Sequence, residues 1–164
     1  MPVVDAIDSV AVVGGGFMGS GIAEAVAAAG LPVVVFDLDE AALQRARERI
    51  DRSISRAVAG GELDVSHAEV ARERIELTSD LSAISEADLV VEAVPEEARL
   101  KLEVMERINA EVSETAIVTS NTSSIPIAEL AGVIDGPERV LGLHFFSPVP
   151  VMTLVEVVAL DTSP

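Results

Sequence analysis

Three glycines constrain the fold of this chain more than any other feature. Gly14, Gly16 and Gly19 follow a valine-rich run at 10–13, and an alanine-rich stretch with helical spacing comes directly after them. In a strand–turn–helix unit the first glycine permits a sharp turn, the second lets a pyrophosphate approach the backbone, and the third lets the helix pack on the strand. Asp37 ends the next apolar run, where an acid that binds a ribose is expected. The segment therefore predicts a dinucleotide-binding site.

The composition favours one folded domain without contacts to nucleic acid or membranes. The chain has 164 residues, 49% of them hydrophobic, which suffices for a core and argues against disorder. Its formal net charge of −17 repels nucleic acid and anionic lipid surfaces. The absence of cysteine excludes disulfides and thiolate metal sites, and no apolar run approaches the roughly 18 residues of a membrane span. We expect a cytoplasmic protein without a metal site.

Short apolar runs alternate with longer amphipathic segments along the chain, a pattern typical of an α/β protein. Leu89–Val91 is a continuous apolar run, as expected for a strand that is buried on both faces of a parallel sheet. The pattern predicts a Rossmann-type, doubly wound and mostly parallel sheet with an inserted helical hairpin. The predicted strands lie at 9–13, 32–36, 75–78, 88–93, 116–119, 140–145 and 153–158, and the predicted helices at 18–29, 40–59, 64–74, 97–112 and 126–132.

The hairpin is predicted where a minimal unit would have a single crossover helix. Its two helices are separated by Gly60 and Gly61, and the first carries five arginines. One interpretation is a solvated face of mixed charge. The other is a hairpin that stands off the sheet and binds a phosphorylated substrate through arginines, with Arg52 and Arg56 as candidates.

Polar residues follow two of the later predicted strands, at the edge where open α/β sheets bind ligands. The Ser120–Ser124 segment comes directly after one strand, and His144 lies at the end of another. Glu156 follows in the next apolar run, beyond the turn at 147–150. Two strands joined by this turn would place the carboxylate beside the imidazole, fixing its tautomer and orientation. Spacing alone leaves open whether each is an ordinary strand residue.

Four segments of the chain carry a specific pattern: Val10–Gly21, Leu89–Lys101, Ser120–Ser124 and Leu143–Glu156, of which the last contains the sequence His-Phe-Phe-x-Pro-Val. Together they resemble the NAD-binding domain of L-3-hydroxyacyl-CoA dehydrogenases, in one register over essentially the whole chain. The resemblance implies NAD as cofactor, and the oxidation of L-3-hydroxyacyl-CoA to 3-oxoacyl-CoA or its reverse. It implies His144 as the catalytic histidine, Glu156 as its orienting partner and Ser123 as the residue that binds the substrate hydroxyl.

The resemblance also implies a set of cofactor contacts. Lys101 is the only lysine in the chain, which makes its presence at this position informative. Ser147 stands where the family frequently has asparagine, and Glu62 stands where a lysine is usual after the two hairpin glycines. The second departure weakens the case for a basic contact to CoA. The implied cofactor contacts are Gly14, Gly16, Phe17, Met18, Gly19, Asp37, Ala93, Val94, Glu96, Lys101, Asn121, Ser123 and Ser147.

Members of this family continue into a helical C-terminal domain that completes the acyl pocket and forms a homodimer. We therefore expect residues 1–164 to form the NAD-binding domain without that second domain, and to self-associate through the apolar face it would cover. The residues leave two other functions open. One is a dehydrogenase of a hydroxy acid that carries no CoA, and the other is an NAD-binding module without turnover.

Overall fold

The computed structural model describes residues 7–161 and contains a seven-stranded sheet flanked by helices. The strand order is β3-β2-β1-β4-β5-β6-β7. Every neighbouring pair is parallel except β6 and β7, which run antiparallel. This arrangement confirms the predicted doubly wound and mostly parallel sheet. The strands are β1 (Val10–Val13), β2 (Val33–Phe36), β3 (Ile75–Thr78), β4 (Leu89–Glu92), β5 (Ile117–Ser120), β6 (Val140–Phe145) and β7 (Val155–Ala159).

The described residues contain five α-helices, which lie close to their predicted positions. Gly30 follows the first of them with a positive φ of 100°, as expected for a glycine stop. Two short 3₁₀ turns, Leu81–Ile84 and Pro137–Arg139, were not anticipated. The helices are α1 (Phe17–Ala28), α2 (Glu40–Ala59), α3 (Val65–Glu73), α4 (Ala98–Glu111) and α5 (Ile127–Ala131).

The central strands bury both faces, and each face has its own core. In β1, Ala11 and Val13 point into a cluster that also holds Met105 of α4. Val10 and Val12 point into the opposite cluster, which includes residues of α1, α2 and α3. This alternation follows from the period of two along a strand. Helices on both faces leave the carboxyl ends of the parallel strands open as the place for a ligand.

The helical hairpin does not stand off the sheet, which corrects one sequence-based expectation. In α2, Ala46, Ile50 and Ile54 recur every four residues and are buried in the same core as Ile22 of α1 and Ile75 of β3. The helices α2 and α3 therefore pack against α1 and the β3 side of the sheet. Apolar spacing along α2 carried this information, because a helix with one apolar stripe needs a partner surface.

Strand β7 is exposed over all five of its residues. Its side chains include Val155, Val157 and Val158, and the preceding segment adds Val151 and Leu154. The expected self-association through an apolar face stays a prediction. Within residues 7–161, no helix has the length and apolar character that crossing a membrane requires.

Candidate cofactor and active site

The glycine loop between β1 and α1 has a separate steric reason for each glycine of the motif. Gly14 has a φ of 116°, and a Cβ there would lie 2.8 Å from the carbonyl atoms of Ala93. A Cβ on Gly19 would collide with the carbonyl oxygen of Gly14. By contrast, a Cβ on Gly16 would meet nothing within 4 Å. The first and third glycines are therefore required for the turn and the packing, and the second leaves open space beside the backbone.

That open space lies at the N-terminus of α1. Gly16 is the N-cap residue and no side chain caps the helix. The first-turn N–H groups and the positive end of the helix dipole thus suit a pyrophosphate. The residues present fit the anionic part of a dinucleotide without further change.

Asp37 at the end of β2 faces the same loop. Its Oδ2 accepts a hydrogen bond from Gly15 N at 2.8 Å, and its Oδ1 accepts one from Asp39 N at 2.9 Å. Since a carboxylate can accept about four hydrogen bonds, capacity remains for the hydroxyls of a ribose. Two arginines of α2 lie nearby without pairing with Asp37: Arg45 binds Asp39 at 3.1 Å and Arg49 approaches Gly15 O at 3.5 Å. The structure thus places two arginines of the hairpin near the cofactor edge.

A cleft of about 720 Å³ runs along the carboxyl ends of the strands and brings most of the predicted site residues together. Gly19 is buried beneath the loop, and Glu156 lies beside His144 without lining the cleft. Arg52 and Arg56 are exposed on α2 and do not line it. The predicted residues that line the cleft are Gly14, Gly16, Phe17, Met18, Asp37, Ala93, Val94, Glu96, Lys101, Asn121, Ser123, His144 and Ser147.

One end of the cleft has an apolar wall that the sequence reasoning missed. Leu100, Val104 and Ile108 of α4 recur every four residues and face the cleft together with Leu38 and Leu81. A flat adenine ring fits such a wall. The periodicity along α4 was visible in the sequence, but only the fold shows that this stripe borders the carboxyl edge of the sheet.

His144 and Glu156 are brought together at the other end of the cleft. They are directly paired in the antiparallel ladder of β6 and β7, and His144 Nδ1 lies 2.8 Å from Glu156 Oε2. Phe146 packs against the imidazole with a ring-centroid distance of 4.6 Å. The spacing along the chain left open whether these two residues contact each other. In the structure their side chains are hydrogen-bonded partners.

A single carboxylate oxygen holds residues 122–124 of the loop after β5. Glu96 Oε1 accepts hydrogen bonds from Thr122 Oγ1 at 2.6 Å, from Ser123 N at 3.0 Å and from Ser124 N at 3.1 Å. Burial opposes ionisation of Glu96, but the bonds from Thr122 Oγ1 and Ser123 N, a further bond from Ser124 Oγ at 3.0 Å and the charge of Lys101 outweigh it and lower its pKa to about 2. Glu96 is therefore a fixed anion that orders the loop carrying Ser123.

Lys101 makes contacts that the resemblance did not indicate. Its side chain is 1% exposed, and Nζ lies 2.7 Å from Glu92 Oε1, 3.0 Å from Val94 O and 3.5 Å from Glu96 Oε2. Glu92 was missed because an acidic residue at the end of an apolar strand gives no local sign of being buried. The single lysine of this chain thus forms a buried ion pair beside the cleft.

Comparison with known proteins identifies the family of this chain. The family model for the NAD-binding domain of 3-hydroxyacyl-CoA dehydrogenase matches residues 9–164. The chain is 46% identical over 155 residues to a 3-hydroxybutyryl-CoA dehydrogenase of Mycobacterium tuberculosis, covering 94% of this chain and 54% of that protein. A 3-hydroxyadipyl-CoA dehydrogenase of Escherichia coli is 42% identical over 157 residues, covering 93% of this chain and 32% of that protein.

A solved structure shows the same fold. The (S)-3-hydroxybutyryl-CoA dehydrogenase of Ralstonia eutropha superposes with a TM-score of 0.93 at 40% identity, covering 96% of this chain and 56% of that one. The chain spans about half the length of the Mycobacterium tuberculosis and Ralstonia eutropha proteins and about a third of the length of the Escherichia coli protein. It belongs to the 3-hydroxyacyl-CoA dehydrogenase family and corresponds to the NAD-binding domain of that family.

Proposed function

We propose that this domain binds NAD and supplies the proton-transferring residues for the oxidation of L-3-hydroxyacyl-CoA to 3-oxoacyl-CoA, and for the reverse reaction. The observation that carries the proposal is the His144–Glu156 pair at 2.8 Å, beside a cleft whose other end has the features of a dinucleotide site. When bound, NAD supplies the acceptor for the hydride that leaves C3 of the substrate.

His144 is the proton acceptor in this proposal. Because Glu156 occupies Nδ1, the neutral ring keeps its proton on that nitrogen and has Nε2 free to accept the proton of the substrate 3-hydroxyl. The carboxylate then stabilises the imidazolium that results. In the reverse direction the same Nε2 donates its proton to the forming alkoxide.

Ser123 is proposed to orient the reacting oxygen. It lines the cleft, and its backbone N–H is held by Glu96 at 3.0 Å. Its hydroxyl can donate to the substrate oxygen, since its own contact with Glu96 Oε1 is long at 3.4 Å. Because Glu96 orders the loop, the hydroxyl of Ser123 stays at the cleft.

Two arginines of α2 are candidates for binding the phosphates of the substrate. Arg52 and Arg56 are exposed on α2, so they are available to CoA phosphates, although they lie outside the cleft. The two relatives named above act on the CoA esters of 3-hydroxybutyrate and 3-hydroxyadipate, which supports a CoA thioester without defining the acyl length. We also propose that residues 1–164 form a single NAD-binding domain of a cytoplasmic protein.

The test is reduction of acetoacetyl-CoA by NADH with this chain at high protein concentration. We expect a rate that His144→Gln lowers by at least about a hundredfold, the usual contribution of a positioned proton donor. Free acetoacetate should not be reduced at a comparable rate. Equal rates for the wild type and His144→Gln would contradict the proposal, and a preference for free acetoacetate would favour a hydroxy acid without CoA.

A further inference from the structure

A buried carboxylate that the proposed reaction does not use lies at the end of β4. Glu92 is 0% exposed. In the same row across the sheet, Val13 of β1 and Phe36 of β2 fill the neighbouring positions with apolar side chains. An uncharged side chain could therefore occupy the position of Glu92. Burying an unpaired carboxylate there would be strongly unfavourable. The buried carboxylate of Glu92 therefore requires partners that donate hydrogen bonds or carry a positive charge.

Those partners come from three different segments of the chain. Lys101 Nζ of α4 donates to both oxygens of Glu92, at 2.7 and 3.0 Å. Val94 N, in the loop after β4, donates to Oε1 at 2.7 Å. Ser120 Oγ at the end of β5 donates to Oε2 at 2.5 Å. One side chain thus fixes β4, α4 and β5 relative to one another.

Each of these segments carries a group that faces the cleft. Val94 and Lys101 line it. Ser120 is followed at once by Asn121 and three residues on by Ser123, and both of these also line the cleft. The backbone continues the connection, since Glu92 O accepts a hydrogen bond from Asn121 N at 2.8 Å.

These hydrogen bonds extend further to β6, the strand that carries His144. Asn121 Oδ1 accepts a hydrogen bond from Phe145 N at 2.8 Å, and Phe145 follows His144 in β6. A continuous series of hydrogen bonds therefore leads from the cofactor side of the cleft to the strand of the proposed proton acceptor.

We propose that Glu92 is a positioning residue, whose buried carboxylate sets the loop carrying Asn121 and Ser123 in register with the cofactor edge of the cleft. A buried ion pair often stabilises a fold no more than an apolar pair of the same volume, so stability alone does not account for it. The inference rests on the proposed function, because it assumes that the cleft binds NAD.

The experiment compares Glu92→Gln with the wild-type chain in three measurements: urea unfolding, calorimetric titration with NADH, and backbone amide NMR. The substitution keeps the shape of the side chain and retains Lys101, but it removes the charge and two of the acceptor sites. Glu103→Gln is the matched control, because it breaks the exposed pair of Glu103 with Arg99 on the same helix.

We expect Glu92→Gln to weaken NADH binding at least about tenfold under conditions where unfolding curves show it to be folded, since displaced binding groups lose affinity steeply. The amide resonances of Asn121 and Ser123 should shift without NADH, whereas that of Leu130 in α5 should not. Glu103→Gln should bind within about twofold of the wild type.

A purely structural role would lower the free energy of unfolding and leave the NADH affinity of the folded molecules and the two loop resonances unchanged, and that result would overturn the inference. If Glu92→Gln does not fold, Ser120→Ala decides, because it keeps the ion pair and removes the hydroxyl that joins the Glu92 carboxylate to Thr122 N of the loop. Unchanged affinity and loop resonances in Ser120→Ala would likewise overturn it. A wild-type chain that fails to bind NADH would instead contradict the proposed function.

Discussion

At the scale of single residues, the glycine loop and Asp37 form one end of the cleft, where Asp37 accepts a hydrogen bond from Gly15 N. The glycine motif and Asp37 have fixed spacing, and their geometry follows from a strand, a turn and a helix in succession. Glu92 and its contact with Lys101 could not be predicted in this way. That contact is set by how α4 lies against the end of β4, which no local pattern encodes.

Asp37 should make the chain selective for NADH over NADPH. Its carboxylate can accept hydrogen bonds from a ribose diol, but it repels a 2′-phosphate, and neither Arg45 nor Arg49 pairs with it. We expect NADH to bind at least about tenfold more tightly, which corresponds to roughly 1.4 kcal/mol. Calorimetry on Asp37→Ser should show this preference reduced, while Asp64→Ala, at the residue that precedes α3, should retain it. Equal affinities in the wild type would disprove the role of Asp37.

Glu96 should link the stability of the domain to pH. Its pKa is about 2 in the folded protein and near 4.5 when unfolded, so the folded state is favoured by its ionisation. This contribution is fully present above about pH 4.5 and is lost as the pH falls toward 2. Urea unfolding should therefore show Glu96→Gln to be less stable than the wild type at pH 7, with a difference that shrinks below pH 4.5. A difference that is constant between pH 7 and pH 3 would contradict this linkage.

At the scale of elements, the number of strands and their positions along the chain followed from apolar runs, but the placement of the hairpin did not. The arginines of α2 suggested a helix that projects into solvent. The apolar residues Ala46, Ile50 and Ile54 share its opposite face and pack in the core with α1. The charged face was the more conspicuous signal, whereas the buried face decides where the helix lies.

Packing of the hairpin should contribute substantially to stability. Ile54 is 2% exposed, so Ile54→Ala leaves a cavity and should lower the free energy of unfolding by about 2–5 kcal/mol. Arg47→Ala, on the exposed face of the same helix, should change it by less than about 0.5 kcal/mol. Urea denaturation measures both, and an Ile54→Ala effect as small as that of Arg47→Ala would show that the hairpin is not packed as described.

At the scale of the whole molecule, the described residues contain a cofactor cleft and the His144–Glu156 pair, in a chain that spans about half the length of its relatives. Glu156 is exposed over 55% of its side chain, so water reaches the pair. Positioned chemistry loses rate steeply when the reacting groups are not held close and shielded.

We therefore expect the 164-residue chain to reduce acetoacetyl-CoA at least about a thousandfold more slowly than a full-length relative, equivalent to several kcal/mol of lost positioning. Steady-state assays of both proteins under the same conditions measure this ratio. A rate within tenfold of the relative would show that these residues alone complete the active site.

The central claim is that this chain carries a preformed dinucleotide site at its glycine loop, and one titration tests it most directly. Gly16 has an ordinary φ of −70° and open space around it, so Gly16→Val should cost only the loss of a favourable N-cap residue, about 1 kcal/mol or about 2–4 °C in melting temperature, while filling the space assigned to the pyrophosphate. Calorimetry should show one NADH bound per wild-type chain and binding by Gly16→Val that is weaker by at least about tenfold, or roughly 1.4 kcal/mol. Failure of the wild-type chain to bind NADH, or equal binding by the two proteins, would contradict the account.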